Sequence, residues 1–281
     1  MIPTQAQQPR TPDATVAHTG VLSHLRARAL RKMSHWIANH AYRLARLRWH
    51  LSTGVYIEVA NQIEWQIYTD IFADGDYDRP LLELFERDAS RPLTVSDLGA
   101  NVGFFALRLA HLAGVHAAAR PIHIEAFEAS AGLCARAKQR WSECRLEDNN
   151  LQFNVTHGLI GRKSGAAEFF EQHDHGRNSL FRKSRRRELV SYVDLSAHFA
   201  NVECIDLVKC DIEGSEQMFF ESYPDLLAKT HAVVVELHHG LCDTERCTSL
   251  LKDAGFAGHR VIEKGPFDSL EYFWKHGAAI N

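Results

Sequence analysis

Asp97-Leu-Gly-Ala-Asn-Val-Gly103 places one carboxylate, one amide and two glycines within seven residues. The run before it, Leu93-Thr-Val-Ser, is β-forming, and Phe104 onward reads as helix. The two glycines, Gly99 and Gly103, therefore sit on a turn from strand to helix, the shape of a nucleotide-cradling loop. A dinucleotide loop spaces three glycines as G-x-G-x-x-G so that backbone can approach a pyrophosphate. Here the pattern is D-x-G-x-x-x-G, with Asn101 between the glycines. An acid at the head of the loop repels a pyrophosphate and attracts a cation.

The ammonium and sulfonium groups of S-adenosylmethionine (SAM) are such cations. A second anchor is Glu128, which closes the next apolar stretch 31 residues after Asp97. A carboxylate at a strand tip accepts two ribose hydroxyls as charge-assisted donors. Glu125 lies inside the same stretch and is worse placed. A second constellation follows in "IDLVKCDIEGSEQMFF", Ile205–Phe220. There an apolar run leads to Asp211, and Glu213-Gly214-x-Glu216 opens a helix. "HAVVVELHH" then ends on Glu236, His238 and His239. Adjacent strand tips thus deliver Asp211, Glu213, Glu236 and two histidines towards one cleft. In extended chain His238 and His239 face opposite ways, so at most one lines it. Acids that open a helix are also favoured by its dipole alone, so a purely structural role for Glu213 and Glu216 stands beside the functional one.

The segments "GDYDRPLLELF", "VSDLGANVGFFALRLA", "AFEAS", "NSL", "LVKCDIEGSEQMFF" and "VVVELHH" resemble, in that order, the FkbM family of SAM-dependent methyltransferases. The likeness spans roughly residues 70–240. It implies a Rossmann-like seven-stranded α/β fold, mostly parallel with an antiparallel final strand. It also implies O-methylation of a hydroxyl on a sugar, glycan or natural product. Carried over by position, Asp97, Gly99, Asn101 and Gly103 form the SAM loop and Glu128 holds the ribose. Asn178-Ser179 matches a polar family motif, which brings Ser179 to the cofactor. The family has proline after the ribose acid, where this chain has Ala129; the turn changes but the carboxylate stays. For the proton of the acceptor hydroxyl, Asp211 is the first candidate base and His238 the alternative. Asp211 and Glu236 would also suit Mg²⁺ as oxygen ligands, as in catechol-type O-methyltransferases; the competing reading has Lys209 neutralise these acids.

These residues need a frame of alternating elements. Strands are expected at 93–98, 121–127, 151–156, 205–211 and 232–238, and helices at 102–113, 130–142, 214–228 and 244–254. Such alternation builds a parallel sheet covered on both faces. Runs at 257–263 and 269–275 read as a hairpin, so one final strand runs antiparallel. Residues 52–90 read as short strand-like pieces followed by a turn into a helix.

The N-terminal part is of another kind. Residues 1–20 read as a disordered tail, 21–51 as a basic amphipathic helical extension, and 52–281 as the methyltransferase domain. Residues 1–50 hold eight Lys/Arg against Asp13 alone, although the net charge is −3. Leu22, Leu25, Ala29, Met33, Trp36, Ile37, Leu44, Leu47 and Leu51 form one helical stripe. That stripe either packs on the protein's own domain or a second copy, or lies on an anionic membrane surface. No apolar run approaches the length of a membrane span. No secretory signal pattern is visible, and the six scattered cysteines read as reduced thiols of a cytoplasmic protein. Arg182, Lys183, Arg185, Arg186 and Arg187 form a basic cluster, read as a solvated loop, a site for an anionic small acceptor or glycan, or a contact for RNA. No stacking aromatics accompany it, which weighs against nucleic acid. An inactive SAM-fold scaffold or membrane-surface protein is the remaining alternative.

Overall fold

The computed structural model describes residues 40–42, 44–45, 47–87, 91–144, 150–171 and 186–275, with only the backbone of Arg186. The described chain opens on helical residues, 40–42 and 44–45, and a two-stranded ribbon follows: β1 (Leu47–His50) pairs antiparallel with β2 (Tyr56–Val59). Leu47 therefore leaves the expected helical stripe and pairs with Val59. Trp49 explains the change, because its ring stacks on Tyr68 at 4.4 Å and ties the ribbon to the next helix. Residues 21–39, which hold most of that stripe, lie outside the described residues. So does any dimer or membrane contact they would make.

Residues 52–87 are more helical than their pattern suggests. Asn61 caps α1 (Gln62–Tyr68), its side chain accepting the amides of Ile63 and Glu64. A π-helical turn, Thr69–Asp74, follows directly and ends on Gly75 at φ 73°. Beyond it comes α2 (Asp78–Phe85). Buried Glu64 reaches back to Arg140 at 2.6 Å, which fixes α1 against the main body.

That body is a sheet of seven strands: β3 (Leu93–Leu98), β4 (Ile122–Glu128), β5 (Leu151–His157), β8 (Leu207–Cys210), β9 (Ala232–His238), β10 (Gly258–Lys264) and β11 (Asp268–Trp274). Their order is β10-β11-β9-β8-β3-β4-β5. Only β11 opposes the others, pairing antiparallel with both β9 and β10. The hairpin expected at the C-terminus is thus present, with its second strand inserted next to β9. Between β5 and β8 a separate ribbon forms from β6 (Ala166–Glu171) and β7 (Arg186–Ser191), for which the sequence carried no clear pattern.

Helices cover both faces. One core gathers Val95, Ile124 and Leu207 with Leu109 and Ala110 of α3 (Phe104–His116). The other gathers Leu98, Phe127 and Val208 with Phe219, Phe220 and Leu226. The expected helix 214–228 is two, α4 (Glu216–Ser222) and α5 (Pro224–Ala228), because Pro224 cannot donate to the preceding turn. The expected strand 205–211 shortens to Leu207–Cys210, which leaves Asp211 just beyond the strand end. Among the described residues all six cysteines are free, and no helix is long and apolar enough to cross a membrane.

Candidate active site

Sheet order reverses between β3 and β8, so the loops after these strands diverge and open a crevice at their carboxyl ends. A cavity of about 600 Å³ fills it. Its walls come from the loop after β3, the tips of β4, β8 and β9, α1 with its π-helical turn, and the β10–β11 hairpin.

The loop after β3 is forced by contacts on both sides. Gly99 has φ 79°, and a Cβ there would collide with the carbonyl oxygen of Asp211. Only glycine lets the two loops approach this closely. Asn101 also takes a positive φ of 50°. Its N–H donates to Glu128 Oε2 at 2.7 Å, while its own Oδ1 is buried without a partner among the described residues. Gly103 caps α3, and a Cβ there would press on Ala137 at 3.2 Å. Its part is helix packing, and it does not line the cavity.

Glu128 ends β4 and is buried, yet lines the cavity. Its Oε1 accepts the Ser130 N–H at 2.8 Å and its Oε2 that of Asn101. Burial raises its pKa, and those two amides together with Lys209 oppose the rise. Each oxygen keeps a lone pair for a further donor. Glu125 is elsewhere, bound to His198 and Asn154.

Asp97 differs from expectation. It is fully buried and outside the cavity wall, and Lys209 Nζ lies 3.3 Å from its Oδ1. The two residues are register partners on adjacent parallel strands. Lys209 also donates to the Gly99 carbonyl at 2.6 Å and lies 3.5 Å from Asp211 Oδ2. Burial opposes its charge, but Asp97 and Asp211 outweigh burial and raise its pKa. Of the two acids that the competing reading has Lys209 neutralise, Lys209 meets Asp211; among the described residues no ion pair joins it to Glu236.

Asp211 and Glu236 both line the cavity. The neighbouring Asp211 carboxylate, together with burial, pushes Glu236 up to about 8. His238 does not line the cavity. Its Nδ1 lies 3.0 Å from Glu216 Oε1, and its Nε2 lies 3.5 Å from Glu213 and 3.8 Å from Glu236. Burial opposes its protonation, yet Glu216, Asp211 and Glu236 raise it to about 10. These carboxylates favour the charged imidazolium and engage both ring nitrogens, which does not suit the expected use of His238 as a free base. His239 approaches Ser269 and also stays off the wall. Glu216 is fully buried, accepts the amides of Ile212 and Gly214, and so anchors the loop that carries Asp211.

For a metal, Asp211, Glu213 and His238 bring ligand atoms within 4.8 Å of one another; Glu236 lies outside that trio. Two oxygens and an imidazole nitrogen suit manganese, iron or zinc better than Mg²⁺. Ser179 lies outside the described residues, as do Arg182, Lys183 and Arg185; Arg187 pairs with Glu168 at 3.0 Å. Several wall residues escaped the sequence reading: Asp70, Asp76, Tyr77, Glu263 and Asp268. Only "GDYDRPLLELF", which holds Asp76 and Tyr77, signalled any of them.

A family model described as a methyltransferase FkbM domain matches residues 97–257, which excludes that segment. No curated protein sequence matches the chain. Similar solved structures include the METTL16 methyltransferase domain, 13% identical, covering 77% of this chain and 69% of that chain, at TM-score 0.44. Another is magnesium protoporphyrin IX methyltransferase from Synechocystis PCC 6803 with bound SAM, 13% identical, covering 78% and 86%, at TM-score 0.46. A third is the bifunctional kinase-methyltransferase WbdD, 17% identical, covering 73% and 40%, at TM-score 0.42.

Proposed function

The chain belongs to the FkbM family of methyltransferases, and from that premise we propose that it transfers a methyl group from SAM to a hydroxyl of a sugar, glycan or natural-product acceptor. One juxtaposition supports this reading most. The Gly99–Asn101 turn, the Glu128 carboxylate and Asp211 line a single cavity at the reversal of strand order.

When bound, SAM supplies a methyl carbon made electrophilic by its sulfonium. Glu128 holds the ribose through the lone pairs its two amide contacts leave over. Asn101 Oδ1, buried and without a partner among the described residues, offers the same wall one more acceptor. Asp97 acts through Lys209, which grips the Gly99 carbonyl and so holds the loop in place. Ser179 keeps its proposed place beside the cofactor.

An alcohol must give up its proton as its oxygen attacks, and Asp211 is the base. The Asp211 carboxylate and burial both favour a proton on its neighbour Glu236. The walls fix the acceptor oxygen in line, which supplies much of the acceleration. Were a divalent ion bound, Asp211 with Glu236, or with Glu213 and a His238 that had given up its proton, would hold it, and it would supply a second way to weaken that O–H bond.

The test is transfer of labelled methyl from SAM into a panel of glycans and cell extract, with and without chelator, beside calorimetric titration with SAM. Binding of SAM and labelling of a hydroxyl support the proposal. No binding at millimolar SAM would sink it and leave the scaffold reading. Label found in RNA would replace the acceptor class, and loss of activity on chelation would bring in the metal.

A further inference from the structure

Past Glu128 and Asp211, the cavity wall is acidic. Asp70 comes from the π-helical turn, Asp76 from the loop after it, Glu213 and Glu236 from the strand tips, and Glu263 and Asp268 from the hairpin. Lys209 is the one Lys or Arg among the described wall residues, and it is committed to Asp97, Asp211 and the Gly99 carbonyl. Burial, with Glu263 next in weight, pushes both Asp70 and Asp76 up to about 6. Such a rise is what carboxylates show when no cation balances them.

A second observation points to a ligand. Tyr77 is 6% exposed and lines the same cavity, its ring held edge-on against Phe105 at 5.3 Å. Its hydroxyl makes no hydrogen bond among the described residues. A tyrosine buried this far normally finds a partner for its O–H. Here the open cavity is where that partner would be.

We propose that the methyl acceptor carries an ammonium group beside its reactive hydroxyl, as an amino sugar or aminocyclitol does, with the acidic wall holding the ammonium and Tyr77 a hydroxyl. This rests on the methyltransferase reading above. Ionised carboxylates only accept hydrogen bonds and an ammonium only donates them, so the two match in both charge and direction. A uronic acid, a phosphorylated sugar or RNA brings like charge to a wall that is half-buried at Asp76, Glu213, Glu236 and Asp268 and exposed at Asp70 and Glu263, and the half-buried acids repel it with the least screening. The anionic acceptor suggested by the basic cluster is therefore disfavoured by the wall. A neutral polyol can also donate to carboxylates, and the experiment separates it from the amine.

The experiment titrates the full-length protein, loaded with S-adenosylhomocysteine, with glucosamine, 2-deoxystreptamine, N-acetylglucosamine and glucuronic acid. The amines should bind about tenfold or more tightly than the acetylated and anionic sugars, the worth of one charge-assisted hydrogen bond. An Asp70→Asn/Asp76→Asn variant should erase that preference while binding S-adenosylhomocysteine as before, and Tyr77→Phe should weaken all acceptors alike. Equal binding of the acetylated sugar, tighter binding of the uronic acid, or no amine binding while S-adenosylhomocysteine binds each overturns the proposal. Failure to bind S-adenosylhomocysteine itself overturns the underlying methyltransferase reading, and the acceptor class falls with it.

Discussion

The Lys209 ammonium lies 3.3 Å from Asp97 Oδ1, between register partners on neighbouring parallel strands. Both side chains are buried, at the point where the cofactor loop leaves the sheet. Lys209→Met would leave Asp97 as a buried charge without its counter-ion. The expected loss is about 3–5 kcal/mol, the usual result of breaking a buried ion pair from one side. Denaturant unfolding reads it directly. Adding Asp97→Asn should restore part of the loss, and no recovery in the double variant would show that the two residues are not coupled.

Gly99 and Gly240 share a left-handed backbone, at φ 79° and 83°, but not their surroundings. A Cβ at Gly240 meets nothing within 4 Å, whereas at Gly99 it strikes the Asp211 carbonyl. Gly240→Ala should cost only the conformational penalty, roughly 1–2 kcal/mol. Gly99→Ala should cost more and also abolish SAM binding, because the two loops must separate. Similar melting shifts for the two variants would contradict this.

Glu128→Gln tests the ribose anchor. The amide keeps one acceptor oxygen but turns N–H donors towards a neighbouring backbone N–H, so it loses one loop contact as well as charge. SAM affinity should fall about ten- to a hundredfold. Calorimetry on a folded variant settles the point, and unchanged affinity removes Glu128 from the cofactor site.

Asp211→Asn should separate chemistry from binding. With the base gone, kcat should drop by about 10²–10⁴-fold while SAM affinity stays near wild type. Full turnover by this variant would transfer the role of base to Glu236 or to a metal-bound route.

The His238 clamp predicts a pH signature. Its pKa rises from 6.5 in the unfolded chain to about 10, with Glu216, Asp211 and Glu236 prevailing over burial. A raised pKa means the folded state binds the proton more tightly, so this stabilisation is complete below 6.5 and lost as pH climbs through about 10. The stability gap between wild type and His238→Gln should therefore be widest at and below the lower bound and narrow across that window. A gap that does not change with pH would mean a neutral imidazole.

Much of the frame was legible because it rests on local rules. Apolar runs buried on both faces mark parallel strands, the turn glycines mark the cofactor loop, and the C-terminal hairpin marks the antiparallel strand. Glu128, Asn101, Gly99 and Asp211 fall on the cavity wall where their strand tips implied. The β6–β7 ribbon escaped because neither AAEFFE nor RRELVS alternates apolar with polar residues or forms a continuous apolar run.

By itself the sequence determined the sheet, its switch point and the family, since each follows from spacing along a few neighbouring residues. Only the tertiary structure decided what the charged groups do. Asp97 and Gly103 turned inward to Lys209 and Ala137, and His238 became a clamp among Glu213, Glu216 and Glu236, which come from two different segments of the chain. Asp70, Asp76, Glu263 and Asp268, from opposite ends of the domain, meet on one wall. The reason is that charge and burial act through space. A carboxylate's partners, and hence its proton and its ligand, are set by whichever strands and loops fold against it.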